Sequence, residues 1–363
     1  MRRLFILINC AVLATAAVVL IPAFALADVP AAYTSFAYAT GVHGIAGSDA
    51  FPNFQNGAVN NRYPMAEVEQ DASPSSAATA TYFDSGPAAA TAGSQYNQSC
   101  STSGGQPPPP QMCQNPNNQV PYAKSTYPGG PQSSHIDACN GCGNGPNADT
   151  SAQQLTASAS GYYSGGGTQP FNGAYGRSNT TIDSGGTLSA TTHSEVDSFA
   201  VGTVKISKVV VDVTASSTLS GANGDSQVQG GQVTANGQPV AVNDQGVTIT
   251  DKQPVPCPKP PAGPLPQPPP APPPPPPAPL PIPIGGGSGG STGSSGSPSQ
   301  GQSTGCVPSV DVTYIKVWTV APTKTVDGSH ITVWATGLHV AITHPSPGPG
   351  VPTQSAEYVL GEG

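Results

Sequence analysis

Six of the seven cysteines, those after the N-terminal residues 1–27, are the residues of this chain best suited to bind metal or transfer electrons. Cys100 and Cys113 precede a Cys139-Asn-Gly-Cys142 pair, and His135 lies close by. Thiolates and imidazole at such spacing can hold zinc, and a Cys-x-x-Cys pair can act in redox exchange. Structural disulfides are the third interpretation. The disulfide candidates are Cys100, Cys113, Cys139, Cys142, Cys257 and Cys306.

Disulfides are favoured over the other two chemistries. The first cysteine pair has no Cys-x-x-Cys spacing to match the second, and no helical pattern follows Cys142 to lower a thiol pKa. An even number of cysteines in an exported chain is typical of disulfides, although six allow 15 connectivities. We expect the first four to pair among themselves and Cys257 to pair with Cys306. No metal and no cofactor is assigned.

Histidines and carboxylates give weak indications of catalysis. His193 lies near Glu195 and Asp197, but there is no Gly-x-Ser-x-Gly elbow and no HExxH motif. We therefore expect exposed histidines on strands and assign no catalytic residue. Glu67, Glu69 and Asp71 share one face of a strand and could hydrolyse glycosides; a solvated acidic sheet edge is favoured.

The aromatic side chains are mostly tyrosines, including Tyr162 and Tyr163. A platform of tyrosine and tryptophan could bind sugar. Packing in the core and between strands is the favoured use, particularly for Trp318 and Trp334.

Residues 1–27 have the three parts of a secretory signal. Arg2 and Arg3 precede an apolar run that ends in Ala25-Leu26-Ala27, a small-x-small cleavage pattern. The run is also long enough to span a bilayer, so an uncleaved N-terminal anchor is the alternative. Cleavage is expected before Asp28, which places the protein outside the cell or at its surface.

Composition indicates a β-rich extracellular protein. Nine basic residues against 19 acidic ones remain after cleavage, a net charge of −10, which disfavours nucleic acid as a partner. Charged residues are only 8% of the chain, far below the roughly 25% of ordinary domains. Such a surface suits a secreted or envelope protein with envelope or extracellular partners.

Residues 28–252 are predicted to form a β domain. The run Thr187–Ser220 is the longest β-rich stretch, and its valines change parity near Ser207-Lys208. A bulge there, or burial on both faces, would explain the change. Asn236-Gly237 predicts a hairpin turn. Residues 97–150 show no periodicity and are predicted to be an irregular, cysteine-containing insertion.

Residues 253–305 are predicted to be a disordered linker. Nineteen prolines lie in 254–283, which favours polyproline II, and a Gly/Ser-rich stretch follows. Residues 306–363 return to strands around the turn dipeptide Asp327-Gly328 and are expected to complete the same domain. The segment Ala39-Thr40-Gly41-Val42-His43 matches Ala335-Thr336-Gly337-Leu338-His339. This echo suggests two equivalent strands.

The C-terminal half resembles the choice-of-anchor P family of exported actinobacterial surface proteins. Val233–Val240 (VTANGQPV) is similar to the strand-turn-strand of that family, Gly337–Val340 (GLHV) to a later strand, and Val359–Gly361 (VLG) to its end. The resemblance implies display at the cell surface or secretion, and it supplies no catalytic residue. The chain departs from the family because no sorting motif or membrane helix follows Gly361.

These observations predict a mainly β protein with an antiparallel, sandwich-like domain. It is interrupted by the cysteine-bearing insertion and by the Pro/Gly-rich low-complexity linker. The expected function is structural or adhesive at a bacterial envelope, without catalytic activity. The alternatives are a secreted carbohydrate-binding module and a hydrolase of wall polysaccharide.

Overall fold

The computed structural model describes residues 32–48, 59–73, 75–86, 122–138, 145–166, 169–255, 309–346 and 353–363. All secondary-structure elements within these ranges are β-strands. The predicted mainly β class is therefore confirmed. The described residues include no helix with the length and apolar character needed to cross a bilayer.

Eight strands form the first large sheet, here called the front sheet. Its order is β15-β16-β19-β20-β1-β2-β3-β4. The neighbouring strands from β16 to β4 pair in antiparallel fashion. The strands are β1 (Thr34–Ser48), β2 (Val59–Asp71), β3 (Ser75–Thr81), β4 (Ala123–Tyr127), β15 (Val247–Val255), β16 (Ser309–Thr319), β19 (Thr336–His344) and β20 (Gln354–Glu362).

Ten strands form the back sheet. Eight follow the order β14-β13-β10-β9-β8-β7-β6-β5, while β11 pairs with both β9 and β12. The strands are β5 (Ser133–Asp137), β6 (Asn147–Ala152), β7 (Thr156–Gly165), β8 (Phe171–Ile182), β9 (Leu188–Val201), β10 (Val204–Ile206), β11 (Val209–Thr218), β12 (Gly221–Gln229), β13 (Val233–Ala235) and β14 (Gln238–Val240).

Two predicted turns are confirmed. Asn236 and Gly237 join β13 to β14 with φ of 51° and 77°, the positive values that a two-residue hairpin of type I′ requires. Gly328, with φ of 60°, lies in the turn between β17 (Thr323–Asp327) and β18 (His330–Trp334). These last two strands form a separate two-stranded hairpin.

The two large sheets pack as a β-sandwich whose interior has two parts. One part consists of larger side chains, among them Phe171, Phe199 and Leu360. The other consists almost entirely of alanines, such as Ala66, Ala78 and Ala159. Alternating burial along β3, β6 and β8 shows the inward and outward faces that one buried side of a sheet produces.

The parity change near Ser207-Lys208 does not come from a bulge with an extra residue. Ile206 pairs with Phe199 and Val209 with Val196, so two residues lie opposite two on β9. The run divides instead into β10 and β11. Val209, Val210 and Val211 are all buried, which matches the alternative prediction of burial on both faces at that point.

The expectation of irregular structure over 97–150 needs correction. Strands β4 and β5 and the first residues of β6 lie inside this range. β4 pairs with β3, β5 with β6, and β6 with β7. Their sequences are short and polar, so no periodicity identified them. Tertiary pairing, rather than local pattern, determines these strands.

The chain divides into two compact units. The first comprises Met1–Asp251 with Val312–Gly363, and thus contains strands from both sides of the proline-rich stretch. The second is Lys252–Asp311, of which the described residues are the last of β15 and the first of β16. The predicted signal 1–27, most of the linker 253–305 and all six disulfide candidates lie outside the described residues.

Candidate functional site

Strands β1 and β19 lie on either side of β20 in the same register. Thr40 and Thr336 both pair with Glu362, and Val42 and Leu338 both pair with Leu360. The repeated Ala-Thr-Gly-x-His segments thus occupy equivalent positions, as their similarity suggested. Their glycines allow close approach to the back sheet, because a Cβ on Gly337 would lie 2.5 Å from Val209 Cγ1.

This three-strand arrangement stops at the level of Gly363. Ala335 and Gly363 exchange two backbone hydrogen bonds, of 2.8 and 3.0 Å, and the pairing of β1 with β20 begins only at Thr40. Residues 34–39 of β1 pair with β2 on one side. Among the described residues, no strand pairs with their other side.

The unpaired backbone groups of β1 can be identified from its pairing with β2. The Tyr33 carbonyl accepts a hydrogen bond from Ala72 N–H at 3.1 Å. Hydrogen-bonding direction alternates along an antiparallel strand, so the N–H and C=O groups of Thr34, Phe36 and Tyr38 point away from β2. They form a free strand edge.

Within the part of the chain that the structure describes, β18 presents a second free edge. Asp327 pairs with His330 across the hairpin turn, so the alternating backbone groups of Ile331 and Val333 point away from β17. They point to the same side as Ala335, which is bonded to Gly363. The free edges of β1 and β18 therefore continue the two flanks of β20.

Between these edges lies a groove with a volume of about 370 Å³. We call it the strand-edge groove. One wall is the start of β1, the other is β18, and β9 and β11 of the back sheet supply small side chains at its base. These basal residues are Ala190, Thr192, Val213 and Ala215.

Aromatic side chains line the rim of the groove. The rings of Tyr38 and Trp334 are stacked, with centroids 6.0 Å apart and an interplanar angle of 10°. Phe36 is 56% exposed and Trp334 is 37% exposed. Burial, followed by the nearby Glu362 carboxylate, raises the pKa of Tyr38 well above its ordinary value, so its hydroxyl stays neutral.

The base of the groove contains a polar group without a partner. Thr192 is 9% exposed, and its Oγ1 has no hydrogen-bond partner among the described residues. A buried hydroxyl without a partner costs about 1–3 kcal/mol. Thr192 contributes to the lining of the groove, although its Oγ1 itself is buried.

The three predicted carboxylates lie beside this rim rather than on a sheet edge. Asp71, Glu69 and Glu67 pair with Thr34, Phe36 and Tyr38, respectively. The expectation of an acidic edge is wrong, because β2 lies between β1 and β3. The prediction that they share one face of β2 is confirmed, because the residues that alternate with them along the strand are buried.

Two of these carboxyls have shifted pKa values of opposite sign. Burial, and then the charge of Glu69, raises the pKa of Glu67. Hydrogen bonds from Ser73 and Ser75 lower the pKa of Asp71 to about 2. Nearby, Arg62 binds Asp84 at 2.7 Å, so its charge is already compensated.

Four histidines bind carboxylates, which differs from the expectation of simple exposed residues. His43 lies 2.9 Å from Glu362, and its side chain is only 13% exposed. The other pairs are His135 with Asp149 and Asp137, His193 with Asp212 and Glu195, and His339 with Glu357. The sequence analysis noted Glu195 near His193 but missed Asp212, because Asp212 is 19 residues away and lies on the neighbouring strand.

The other aromatic predictions have mixed outcomes. Tyr163 contacts Tyr63 and Phe171, with ring centroids 5.0 and 5.8 Å apart, in agreement with core packing. Trp318 lies across from His339 in the register of β16 and β19, which is the expected cross-strand packing. Trp334 instead lies on the groove rim. The sequence signal for that rim is the stretch Phe36-Ala37-Tyr38-Ala39, which is apolar at both parities.

No cluster of three or more histidine, cysteine or acidic side chains suited to a metal ion occurs in the described residues. The six cysteines fall outside those residues, so their expected pairing stays a prediction. Comparisons of the whole chain with family models, curated proteins and solved structures gave no match. The resemblance to choice-of-anchor P proteins likewise stays a prediction.

Proposed function

We propose that this protein is a structural or adhesive component of the cell exterior, with cell-envelope or extracellular partners and no catalytic activity. The observation that carries the proposal is the strand-edge groove, which combines an aromatic rim with two strand edges that are unpaired among the described residues. Apolar clefts with a few convergent polar groups are typical binding sites.

The export signal and the low charge density support the same proposal. Residues 1–27 have the order of a secretory signal, and a surface made largely of hydroxyl and amide groups suits an extracellular protein. The resemblance of Val233–Val240 and Gly337–Val340 to choice-of-anchor P proteins also supports surface display.

A carbohydrate-binding module is the second candidate. Phe36 is 56% exposed and pairs with Glu69, and the 37% exposed Trp334 stacks on Tyr38, which pairs with Glu67. Aromatic faces combined with polar groups are suited to sugar rings. Binding would then depend on Trp334 rather than on the strand edges.

Fractionation and a wall-binding assay test these functions together. We expect the protein in extracellular or envelope fractions, with Asp28 as its first residue. We also expect the purified protein to sediment with isolated cell walls without solubilising them. Recovery of the protein from the cytoplasm would contradict the proposal, and release of soluble wall fragments would support the hydrolase alternative.

Matched variants separate adhesion from sugar binding. If sugar binding dominates, Trp334→Ala should reduce retention on walls at least tenfold, and soluble wall oligosaccharides should compete. Leu219→Ala is the control, because Leu219 is 85% exposed and outside the groove lining. Retention that is insensitive to oligosaccharides would favour the adhesive function.

A further inference from the structure

The strand-edge groove begins where β20 ends, in the place that a further strand between β1 and β18 would occupy. Thr40 and Thr336 both pair with Glu362. Tyr38 and Trp334 each lie two residues before one of these threonines, beyond the end of β20. Their rings stack over the gap at 6.0 Å. Neighbouring strands lie about 4.8 Å apart, so the gap between strands on either side of one absent strand is about twice that distance.

We propose that the groove binds an extended segment of another polypeptide, which adds a strand in line with β20 and antiparallel to β1 and β18. The proposal rests on the binding function proposed above and names its partner class. The segment would hydrogen-bond alternately to the two walls, through Thr34, Phe36 and Tyr38 on one side and Ile331 and Val333 on the other. Main-chain bonds of this kind give affinity in strand addition.

The shape of the groove sets the inward side chains of the segment. Its alternate residues would face the base formed by Ala190, Thr192, Val213 and Ala215. Small or β-branched side chains fit this base. The residue between Tyr38 and Trp334 must be small, since the two rings lie above it.

Charge sets the outward side chains. Glu67, Glu69 and Asp71 lie on β2, one strand away from the edge of β1. Asp327 lies on β17, one strand away from the edge of β18. Carboxylates thus flank both sides of the gap, so the segment should carry lysine or arginine at its outward positions. A second copy of this acidic chain is a poorer match, because it has 11 basic residues against 19 acidic ones.

A synthetic peptide tests the proposal on the full chain. The probe is acetyl-Ser-Val-Lys-Ala-Lys-amide, with valine and alanine facing the base and both lysines outward. We expect saturable binding, slowed exchange of the Phe36, Tyr38 and Val333 amide protons, and a change in Trp334 fluorescence in a Trp318→Phe background. Replacing both lysines by glutamate, or methylating the nitrogen of the first lysine, should weaken binding at least tenfold.

Two variants locate the binding site. Ala215→Phe fills the groove and should weaken peptide binding at least tenfold. Thr214→Phe is its control, since Thr214 is the exposed neighbour on the same strand and should leave binding unchanged. The modified peptides test the proposal on the unaltered chain even if Ala215→Phe does not fold.

Several results would overturn the inference. These are equal affinity for the methylated peptide, amide protection at another sheet edge, or no saturable binding at millimolar peptide. Protection of the same amides by increasing protein concentration alone would identify a second copy as the occupant and overturn it too. Equal wall retention of Ala215→Phe and the unaltered protein would reject strand addition while leaving the adhesive function standing.

Discussion

The gap beside β1 is filled along one half of the strand and open along the other. In the filled half, β20 lies between β1 and β19, and Leu360 is fully buried. In the open half, the same β1 faces β18 with no described strand between them. The flanks continue across the boundary, so the difference lies in the central strand alone.

The residues beneath the two halves differ accordingly. The larger-residue core around β20 contains side chains such as Phe199 and Leu360, whereas two alanines, a threonine and a valine form the base of the open half. The open half is therefore a preformed groove rather than a collapsed core. If this comparison is correct, enlarging a residue in the filled half is costly, and the open half retains room.

The largest expected effect is that of Gly337→Val in the filled half. A Cβ on Gly337 would lie 2.2 Å from the Leu360 carbonyl oxygen and 2.5 Å from Val209 Cγ1. The backbone of β20 at Leu360 cannot move away without disrupting the sheet, so the free energy of unfolding should fall by about 3 kcal/mol or more. Denaturant titration of the purified variant measures the loss.

Gly230→Val is the control for this prediction. A Cβ on Gly230 would contact no atom within 4 Å, and its φ is not positive. This variant should stay within about 0.5 kcal/mol of the unaltered chain. Equal stability of the two variants would show that the sheets are not closely packed at β19.

Leu360→Ala comes next, since it removes the central side chain of β20. Leu360 is 0% exposed and belongs to the larger-residue core. Truncating a buried leucine costs about 2–5 kcal/mol, and we expect about 3 kcal/mol in the same titration. Leu219→Ala, at a leucine that is 85% exposed, should change little, and a comparable loss there would refute the assignment of Leu360 to the core.

The sequence predicted which segments form strands better than it predicted which strands pair with each other. Alternating apolar residues and the Asn236-Gly237 turn identified β-structure correctly, because both are local signals. The short polar strands β4 and β5 were missed, because neither has an apolar alternation and β4 pairs with β3, more distant in sequence. After the Asp327-Gly328 turn, Ala335 separates β18 of the hairpin from β19 of the front sheet, a division that no local signal marks.

The candidate site was harder to predict, because it consists of an absent pairing. Trp334 was expected to pack within the fold, and nothing in its local sequence places it over Tyr38. The available signal was the stretch Phe36-Ala37-Tyr38-Ala39, which is apolar at odd and even positions alike. It shows that both faces of β1 are in use, but not that one edge is free.

The smallest expected effect is the pH dependence of Glu67→Gln on the outer face of the open half. Burial raises the pKa of Glu67 above the ordinary value of about 4.3. Between these two values the folded chain binds more protons than the unfolded chain, so this group lowers the free energy of unfolding as pH rises. Glu67→Gln should therefore match the unaltered chain near pH 3 and be slightly more stable at pH 7.

Asp71→Asn should show the opposite sign on the same strand. Hydrogen bonds from Ser73 and Ser75 hold the Asp71 pKa at about 2, so its carboxylate contributes stability above its ordinary pKa, which is lost as pH falls toward 2. The variant should be less stable at pH 7, with a difference that shrinks in acid. Thermal unfolding of both variants between pH 2 and 7 measures the contrast. A difference between Glu67→Gln and the unaltered chain that does not change with pH would show that Glu67 is solvated like an ordinary surface carboxylate, and would contradict the prediction.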